Sequence, residues 1–191
     1  MCIETKPVMP ELIDDLSSLF CSDATADKCW CMWFIRSVKE FHQVGHDGNK
    51  TSLIEIVKRE KLPVGILAYH EGDPKGWCAV GPRERFVRGI KTPTYRTQDP
   101  DPFKKVWLVP CFFVREDARG LGLSQALLGA AVELAINYGA EAIDGFPIVS
   151  DKKRSHGEIQ VGFEKVFLQY GFKVMRRPSK NRVVVRYVVK K

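Results

Sequence analysis

The spacing of apolar residues changes repeatedly between helical and strand periods and predicts a mixed fold. Helical spacing occurs over 10–20, 123–138 and 159–170, and the last two stretches end at Gly139 and Gly171, as left-handed terminators. Short apolar runs bounded by turn residues predict strands, which we place at 2–8, 63–70, 75–80, 106–114, 142–148, 172–177 and 183–189. Ser52 and Glu55 resemble a capping box that opens a further helix to about Lys61.

The remaining stretches predict turns and connections. Residues 42–50 are polar and rich in glycine, which predicts a loop, whereas the dense aromatic stretch 29–35 predicts a buried helix or a pocket wall. Residues 88–102 combine proline, threonine, glycine and charge, which predicts a long connection that serves as a lid over substrate. No repeat or linker divides the chain, so we expect one domain over residues 1–191.

The strand at 106–114 and the helix that follows it are joined by a short turn that contains Gly120 and Gly122. A helix start presents unpaired N–H groups and the positive end of the helix dipole, and both favour a phosphate group. Glycine also lets the backbone approach a ligand more closely than any residue with a Cβ atom. The turn therefore predicts a phosphate-bearing cofactor.

Two familiar phosphate turns fit this segment poorly. A nucleoside-triphosphate loop ends in Gly-Lys-Ser/Thr, whereas Leu123 and Ser124 follow Gly122 here. The dinucleotide fingerprint requires a third glycine three residues after the second, and that position is Gln125.

A third turn agrees better, because residues 117–122 (Asp-Ala-Arg-Gly-Leu-Gly) resemble the pyrophosphate turn of the GNAT acyltransferases, Arg/Gln-x-x-Gly-x-Gly/Ala. Both glycines match, but Asp117 stands where the family has a basic or amide residue, and Arg119 would supply the cation. Pro110 lies inside the preceding apolar strand, where proline marks an edge or a bulge. The bulge is similar to that of the GNAT fold; a plain buried strand with an edge proline is the alternative.

The resemblance extends along nearly the whole chain, with its strongest matches at CFFVREDARGLGLSQALL (111–128) and FEKVFLQYGF (163–172). The segments 29–33 and 76–80 also resemble a bacterial subgroup with an N-terminal Cys-Trp-Cys-Met segment. The family implies an α/β (α+β) fold: a mixed, mostly antiparallel sheet with one splayed parallel strand pair and helices on both faces.

The resemblance also implies a function: an acetyl group passes from acetyl-CoA to an amine by direct attack in a ternary complex. It implies that the pantetheine arm pairs like an added strand with Phe112, Phe113 and Val114. A strand N–H near residues 111–113 would stabilise the oxyanion, and the basic run 152–154 would contact the 3′-phosphate. The residues implied to hold the pyrophosphate are Arg119, Gly120, Leu121, Gly122, Leu123 and Ser124.

The resemblance does not carry over the family's general acid. The family places a tyrosine four residues before the terminal glycine of the closing helix, where it protonates the leaving thiolate. The residue at this position is Phe167 here. The leaving thiolate would then be protonated by water, or the reaction would use no dedicated acid. Asp144 is the nearest candidate base by sequence, or else a strand-end residue that bonds local backbone. Cys111 would face the thioester and become acylated in a ping-pong route, a path that this fold normally does not use.

The cysteines have three interpretations. A Cys29-x-Cys31 metal site lacks a second ligand pair, so we expect no metal. Buried cysteines that pack as small apolar residues are a second interpretation. The third is an acceptor pocket, whose candidate lining residues are Trp30, Cys31, Trp33, Trp77, Cys78 and Cys111.

The net charge of +7 suits an anionic partner such as coenzyme A. No arginine-rich helix or RNA-binding strand pattern occurs, so we expect no nucleic acid partner. We likewise expect no membrane segment, no secretion signal, and six reduced cysteines, which indicates a cytoplasmic protein. The acceptor would be a small-molecule or peptide amine, and a homodimer is left open. The alternative function is a catalytically inactive regulatory module that binds acyl-CoA.

Overall fold

A single seven-stranded sheet organises the computed structural model, which describes residues 3–96, 101–149 and 160–190. The strand order is β1-β2-β3-β4-β5-β7-β6, and β4 and β5 form a parallel pair while the other neighbours are antiparallel. This topology confirms the predicted mixed sheet. The strands are β1 Ile3–Pro7, β2 Gly65–His70, β3 Asp73–Pro82, β4 Val106–Val114, β5 Ala142–Gly145, β6 Lys173–Ser179 and β7 Arg182–Val188.

Six α-helices accompany the sheet in the described parts of the chain. They are α1 Ile13–Cys21, α2 Ala24–Cys29, α3 Val38–Arg59, α4 Val87–Lys91, α5 Leu123–Asn137 and α6 Glu164–Tyr170. None of the helices in these parts is long and apolar enough to cross a membrane. The strand predicted over 106–114 and the helix predicted over 123–138 are confirmed. The strand predicted over 142–148 is shorter in the structure, since β5 ends at Gly145. Ile148 forms only isolated bridges, to Phe163 and Arg182.

Two apolar cores lie on opposite faces of the sheet because consecutive strand residues point to opposite sides. On β3, Trp77 and Ala79 pack in the core formed with α1, α3 and the turn after α2. Cys78 and Val80 pack in the other core, with α5 and α6. The sheet therefore has helices on both faces, as the family resemblance implied.

The predicted loop at 42–50 is wrong, since these residues lie inside α3. Ser37 caps this helix: its hydroxyl accepts the Glu40 N–H while the Glu40 carboxylate accepts the Ser37 N–H. Gly45 (φ +63°, ψ −164°) forms a kink inside the helix. A glycine at such a position makes the segment resemble a loop in the sequence. The predicted capping box at Ser52 is also wrong, because the Ser52 hydroxyl donates to the Gly48 carbonyl within the helix.

The stretch 29–35 is not a helix but a change of direction between α2 and α3. Trp30 and Cys31 both adopt left-handed backbone conformations, with φ of +44° and +53°, and a short 3₁₀ turn follows at Met32–Phe34. The predicted connection 88–102 begins inside α4, and its Tyr95 side chain packs in the core. The predicted loop 150–157, with its basic run 152–154, lies outside the described residues.

A buried charged network ties this connection to the sheet. The Asp144 carboxylate, 1% exposed, accepts hydrogen bonds from the Arg186 guanidinium at 2.6 and 2.8 Å and from the Tyr95 hydroxyl. Arg186 also donates to Asp101 at 2.8 and 3.1 Å, and Arg83 donates to the same Asp101. Neighbouring strands β5 and β7 place Asp144 opposite Arg186, so the ladder itself forms the central ion pair.

The pKa of Asp101 reflects this network. Partial burial alone would raise the pKa of Asp101, but hydrogen bonds from Arg186, the Phe103 amide and Arg83 lower it to about 2. The folded value lies below the ordinary value of 3.8, so ionised Asp101 stabilises the fold above that pH. This contribution is lost as the pH falls from about 4 towards 2.

We predict that Asp101→Asn lowers the free energy of unfolding by about 2 kcal/mol at pH 7, because two charge-assisted partners lose their anion. The difference from wild type should shrink as the pH falls towards 2. Urea unfolding followed by circular dichroism at pH 7, 4 and 2.5 measures both effects.

The matched control is Asp73→Asn, whose carboxylate is 71% exposed and 3.6 Å from Lys75. Exposed pairs of this kind contribute little. If the two variants are equally stable at pH 7, the network does not hold the connection to the sheet.

Candidate functional site

The site is organised by a β-bulge in β4. Ala79 of β3 pairs with Cys111 of β4, but Gly81 pairs with Leu108, so one more residue lies between the pairs on β4 than on β3. Val109 and Pro110 thus stand opposite Val80. Proline suits this position because its ring nitrogen has no hydrogen to donate to a ladder.

The bulge reverses the direction in which alternate β4 side chains point. Before it, Trp107 and Val109 lie in the core beneath α5. After it, Cys111 lies in the opposite core, against Cys31, although a regular strand would keep odd-numbered residues on one face. The bulge therefore brings Cys111 to the side of α1 and α2.

The same bulge separates β4 from β5. Their parallel pairing runs from Val106–Ala142 to Val109–Gly145 and then stops. Beyond this point the Arg115 N–H donates to Lys75 of β3 at 2.9 Å, so the backbone groups of Phe112 and Val114 face away from β3. The Phe113 backbone, by the same alternation, faces β3. Phe112 and Val114 thus offer their backbone groups to the gap between the strands.

Part of this edge is already bonded. The Phe112 N–H donates to the carbonyl of Gln160 at 2.5 Å, which brings the segment before α6 across the gap. Gly162, with φ of +76°, passes so close to the Phe112 ring that an added Cβ would lie 3.1 Å from it. A strand-like ligand along β4 would have to replace the Gln160 carbonyl at Phe112.

A cavity of about 140 Å³ runs along the separated half of β4, between α2, α6 and the glycine turn. Its walls are mostly apolar. The residues that line it are Phe20, Asp23, Thr25, Ala26, Cys29, Cys31, Cys111, Phe112, Phe113, Val114, Arg119, Ser124, Gln160, Gly162, Phe163, Val166 and Phe167.

The glycine turn closes one end of this cavity through Arg119 and Ser124. Gly120 and Gly122 have φ of +82° and +88°, a conformation that other residues rarely adopt, and no atom lies within 4 Å of a Cβ added at either. Gly122 is the N-cap of α5, so no side chain at this position accepts the first-turn N–H groups. These features fit a bound pyrophosphate.

Asp117, the departure from the family turn, is held by two cations. Its carboxylate lies 3.0 Å from Lys75 Nζ and 2.9 Å from an Arg115 guanidinium nitrogen. The hydrogen bond from Lys75, followed by those from Arg115, keeps the pKa of Asp117 below its usual value despite some desolvation. Asp117 therefore holds the cationic side chains of Lys75 and Arg115 beside the glycine turn.

Phe167 faces the cavity from α6 and is fully buried. Its ring meets Phe112 edge-on at 5.8 Å and Phe172 at 5.0 Å. Gly145 leaves space for this ring, since an added Cβ would lie 2.4 Å from Phe167 Cε1. At the position of the family's tyrosine, the chain thus places a packed hydrocarbon ring without a proton to donate.

The predicted acceptor pocket is only partly assembled. Cys31 lies in the cavity wall, while Trp30 and Trp77 are fully buried behind it, packed edge-on against Phe20. Cys78 follows Trp77 and therefore points into the opposite core, so these two cannot share a pocket wall.

Trp33 lies outside the cavity lining. The Arg88 guanidinium stacks 3.4 Å above its ring, and Phe41 packs against it at 5.1 Å. The opposite directions of Trp77 and Cys78 follow from the alternation of the predicted strand 75–80, whereas the left-handed backbone at residues 30 and 31 was not visible in the sequence pattern.

The thiols of Cys31 and Cys111 are in contact, with 3.2 Å between the sulfur atoms. The Trp77 indole N–H donates to Cys31 Sγ at 2.9 Å. The hydrogen bond with Cys31 and complete burial raise the pKa of Cys111, and burial raises the pKa of Cys29 to about 12. Cys111 and Cys29 are therefore protonated near neutral pH.

Asp144 is absent from the cavity lining, and its two oxygens already accept three hydrogen bonds. Sequence analysis did not identify Tyr95 and Arg186 as its partners, which lie 49 and 42 residues away along the chain. Only the strand order β5-β7 and the packing of the connection bring them together.

Comparisons with known proteins agree with this architecture. Residues 15–163 match the model of the Acetyltransferase (GNAT) family. No curated protein is similar enough in sequence to match the chain.

Several solved structures share the fold over the whole chain. An N-acetyltransferase from Staphylococcus aureus Mu50 has a TM-score of 0.57 at 13% identity and full coverage of both chains. The PaiA N-acetyltransferase from Thermoplasma acidophilum, solved with coenzyme A, has a TM-score of 0.56 at 13% identity, covering 99% of this chain and 100% of that one. The NatC complex bound to Gag peptide and CoA has a TM-score of 0.55 at 12% identity, with full coverage of both chains.

These structural neighbours show the fold alone, since their sequence identity to this chain is low. The match to the family model covers well over half of the chain. Together with the bulged strand and the glycine turn at the start of α5, this match shows that the chain belongs to the GNAT acetyltransferase family.

Proposed function

We propose that this protein is an N-acetyltransferase that transfers an acetyl group from acetyl-CoA to an amine by direct attack. The observation that carries the proposal is the cavity along the separated half of β4, which ends at the uncapped N-terminus of α5. Acetyl-CoA is the acyl donor of the family. Its three parts, pyrophosphate, pantetheine arm and thioester, correspond to the turn, the strand edge and the bulge.

The pyrophosphate would bind at the N–H groups of residues 119–124, aided by Arg119 and by the cations beside Asp117. A helix N-terminus provides both the donors and a favourable dipole for this anion. Leu123 itself is buried in the core, so its contribution would come from the backbone alone. Leu121 is exposed and would likewise contribute only its backbone.

The pantetheine arm would pair with Phe112 and Val114, whose backbone groups face the gap. Phe113 would contribute its side chain to the cavity wall, since its backbone faces β3. When acetyl-CoA binds, the Phe112 N–H would lose its hydrogen bond to the Gln160 carbonyl. It would then be available to stabilise the oxyanion formed at the thioester.

Catalysis would rest mainly on positioning, because a thioester is already activated. Phe167 provides no proton, so the leaving thiolate would take its proton from water or from the ammonium formed by the attack. Asp144 would act as a positioning residue, since Arg186 and Tyr95 occupy its oxygens. Acylation of Cys111 in a ping-pong route would instead leave one acetyl group on the protein after incubation with acetyl-CoA alone.

The acceptor is a small-molecule or peptide amine in this proposal. One structural neighbour supports the peptide class, since the NatC complex was solved with a peptide, and the small-molecule class rests on the family resemblance. Within the described residues, the acceptor would approach the bulge from the α1–α2 side, where Cys31 and Phe20 form the wall.

We predict that Gly122→Trp weakens acetyl-CoA binding about 100-fold, because the bulky side chain displaces the pyrophosphate and removes two charge-assisted hydrogen bonds. Isothermal titration calorimetry with acetyl-CoA measures this change. An acceptor screen on the wild-type protein follows, and binding without turnover of any amine would favour the regulatory module.

Gly72→Trp is the matched control for Gly122→Trp. Gly72 has φ of +85° and an open surrounding like Gly122, but it lies in the β2–β3 turn. Both variants carry the same backbone strain of about 1–2 kcal/mol. Equal weakening of acetyl-CoA binding in the two variants would show that strain, rather than the turn, controls affinity.

We predict that Asp144→Asn and Tyr95→Phe lower the thermal midpoint by several degrees but leave the apparent pKa of the kcat/KM pH profile unchanged. A positioning residue affects stability and the rate, whereas a general base sets the acid limb of the profile. Loss of that limb in Asp144→Asn, with Tyr95→Phe unaffected, would identify Asp144 as the base.

A further inference from the structure

We propose that Cys31 and Cys111 are a redox-modified thiol pair, which hydroperoxides oxidise to a disulfide in the wall of the donor cavity. The inference rests on the proposed function only where it concerns protection by acetyl-CoA. The pair itself stands on the contact between the two sulfur atoms, on their place in the cavity wall and on the backbone that holds Cys31.

The distance between the sulfur atoms favours a disulfide. They lie 3.2 Å apart, so a movement of about 1.2 Å reaches the bond length of about 2.0 Å. The two residues come from separate elements, the turn after α2 and strand β4, and the bulge turns Cys111 towards Cys31. Oxidation would therefore place a covalent bond between two parts of the fold that now meet through noncovalent contacts.

The backbone fixes the direction of the Cys31 side chain. Two consecutive residues other than glycine, Trp30 and Cys31, hold left-handed conformations, which persist only when the surroundings enforce them. The Trp30 ring packs at 5.1 Å from Phe20, and its indole N–H donates to Asp27 at 3.3 Å. This anchoring directs the Cys31 thiol at Cys111.

Within the described residues, both cysteines of the pair border the cavity. Cys31 and Cys111 are 6% and 4% exposed, yet both line the cavity wall. A small hydroperoxide can enter a cavity that a protein disulfide or a large oxidant cannot. The Trp77 indole N–H points at Cys31 Sγ, where it would stabilise negative charge on the attacking sulfur.

The chemistry balances with one hydrogen peroxide molecule. The Cys31 sulfur attacks one peroxide oxygen, the O–O bond breaks, and a sulfenic acid and one water form. The Cys111 sulfur then attacks the Cys31 sulfur while its proton passes to the leaving hydroxyl oxygen, the S–O bond breaks, and the disulfide and a second water form. Two thiols lose two electrons in total, and a dithiol reductant restores them.

Hydrogen peroxide treatment of the reduced protein tests the proposal. We expect intact mass to fall by two hydrogens and peptide mapping to show a Cys31–Cys111 cross-link that dithiothreitol reverses. Cys31→Ser and Cys111→Ser should each abolish the cross-link. Cys78→Ala and Cys21→Ser should retain it, because Cys78 faces the opposite core and Cys21 is exposed outside the pair.

Acetyl-CoA should protect the pair. At ten times its dissociation constant, about one molecule in eleven has a free cavity, so the disulfide should form about tenfold more slowly. Acetyl-CoA binding measured by calorimetry without any Cys31–Cys111 cross-link would overturn the redox inference and leave the proposed function intact. An unprotected cross-link would instead overturn the placement of acetyl-CoA in this cavity.

Discussion

The bulge at Val109 and Pro110 is the constraint on which the site depends. One extra residue on β4 ends the ladder with β5, opens the gap between these strands, and reverses the faces of the residues that follow. Every later feature of the cavity is a consequence: the Phe112 amide faces the gap, and Cys111 lies against Cys31. A regular strand would bury these groups in a continuous ladder and leave no space for a ligand.

In the proposed function, the glycine turn and the bulge would act on the same ligand from opposite ends. Gly122 leaves the first N–H groups of α5 without a side-chain acceptor, and its positive φ directs the chain from the end of β4 into the helix. The Asp117 carboxylate does not oppose an anion here as its charge alone would suggest, because Lys75 and Arg115 neutralise it.

The strand order has a different role, because it brings oppositely charged buried side chains together. Pairing of β5 with β7 brings Asp144 and Arg186 together, and Tyr95 and Asp101 complete their hydrogen bonds. Burial of a carboxylate at this depth would otherwise be costly. Through Tyr95, which donates a hydrogen bond to the Asp144 carboxylate, the network holds the connection after α4 against the sheet.

The sequence by itself determined the sheet strands, the α5 helix, the end of α6 at Gly171, the proline in β4 and the glycine turn, because these depend on local periodicity and on backbone preferences at single residues. The helix predicted over 159–170 begins only at Glu164, after Gly162 with its φ of +76°. The kink at Gly45 misled the prediction of α3, since an interior glycine resembles a loop until packing enforces the helix. Only the tertiary structure decided that Asp144 meets Arg186 and that Cys31 meets Cys111. These outcomes depend on the register of the strands and on contacts between distant residues, which no local pattern records.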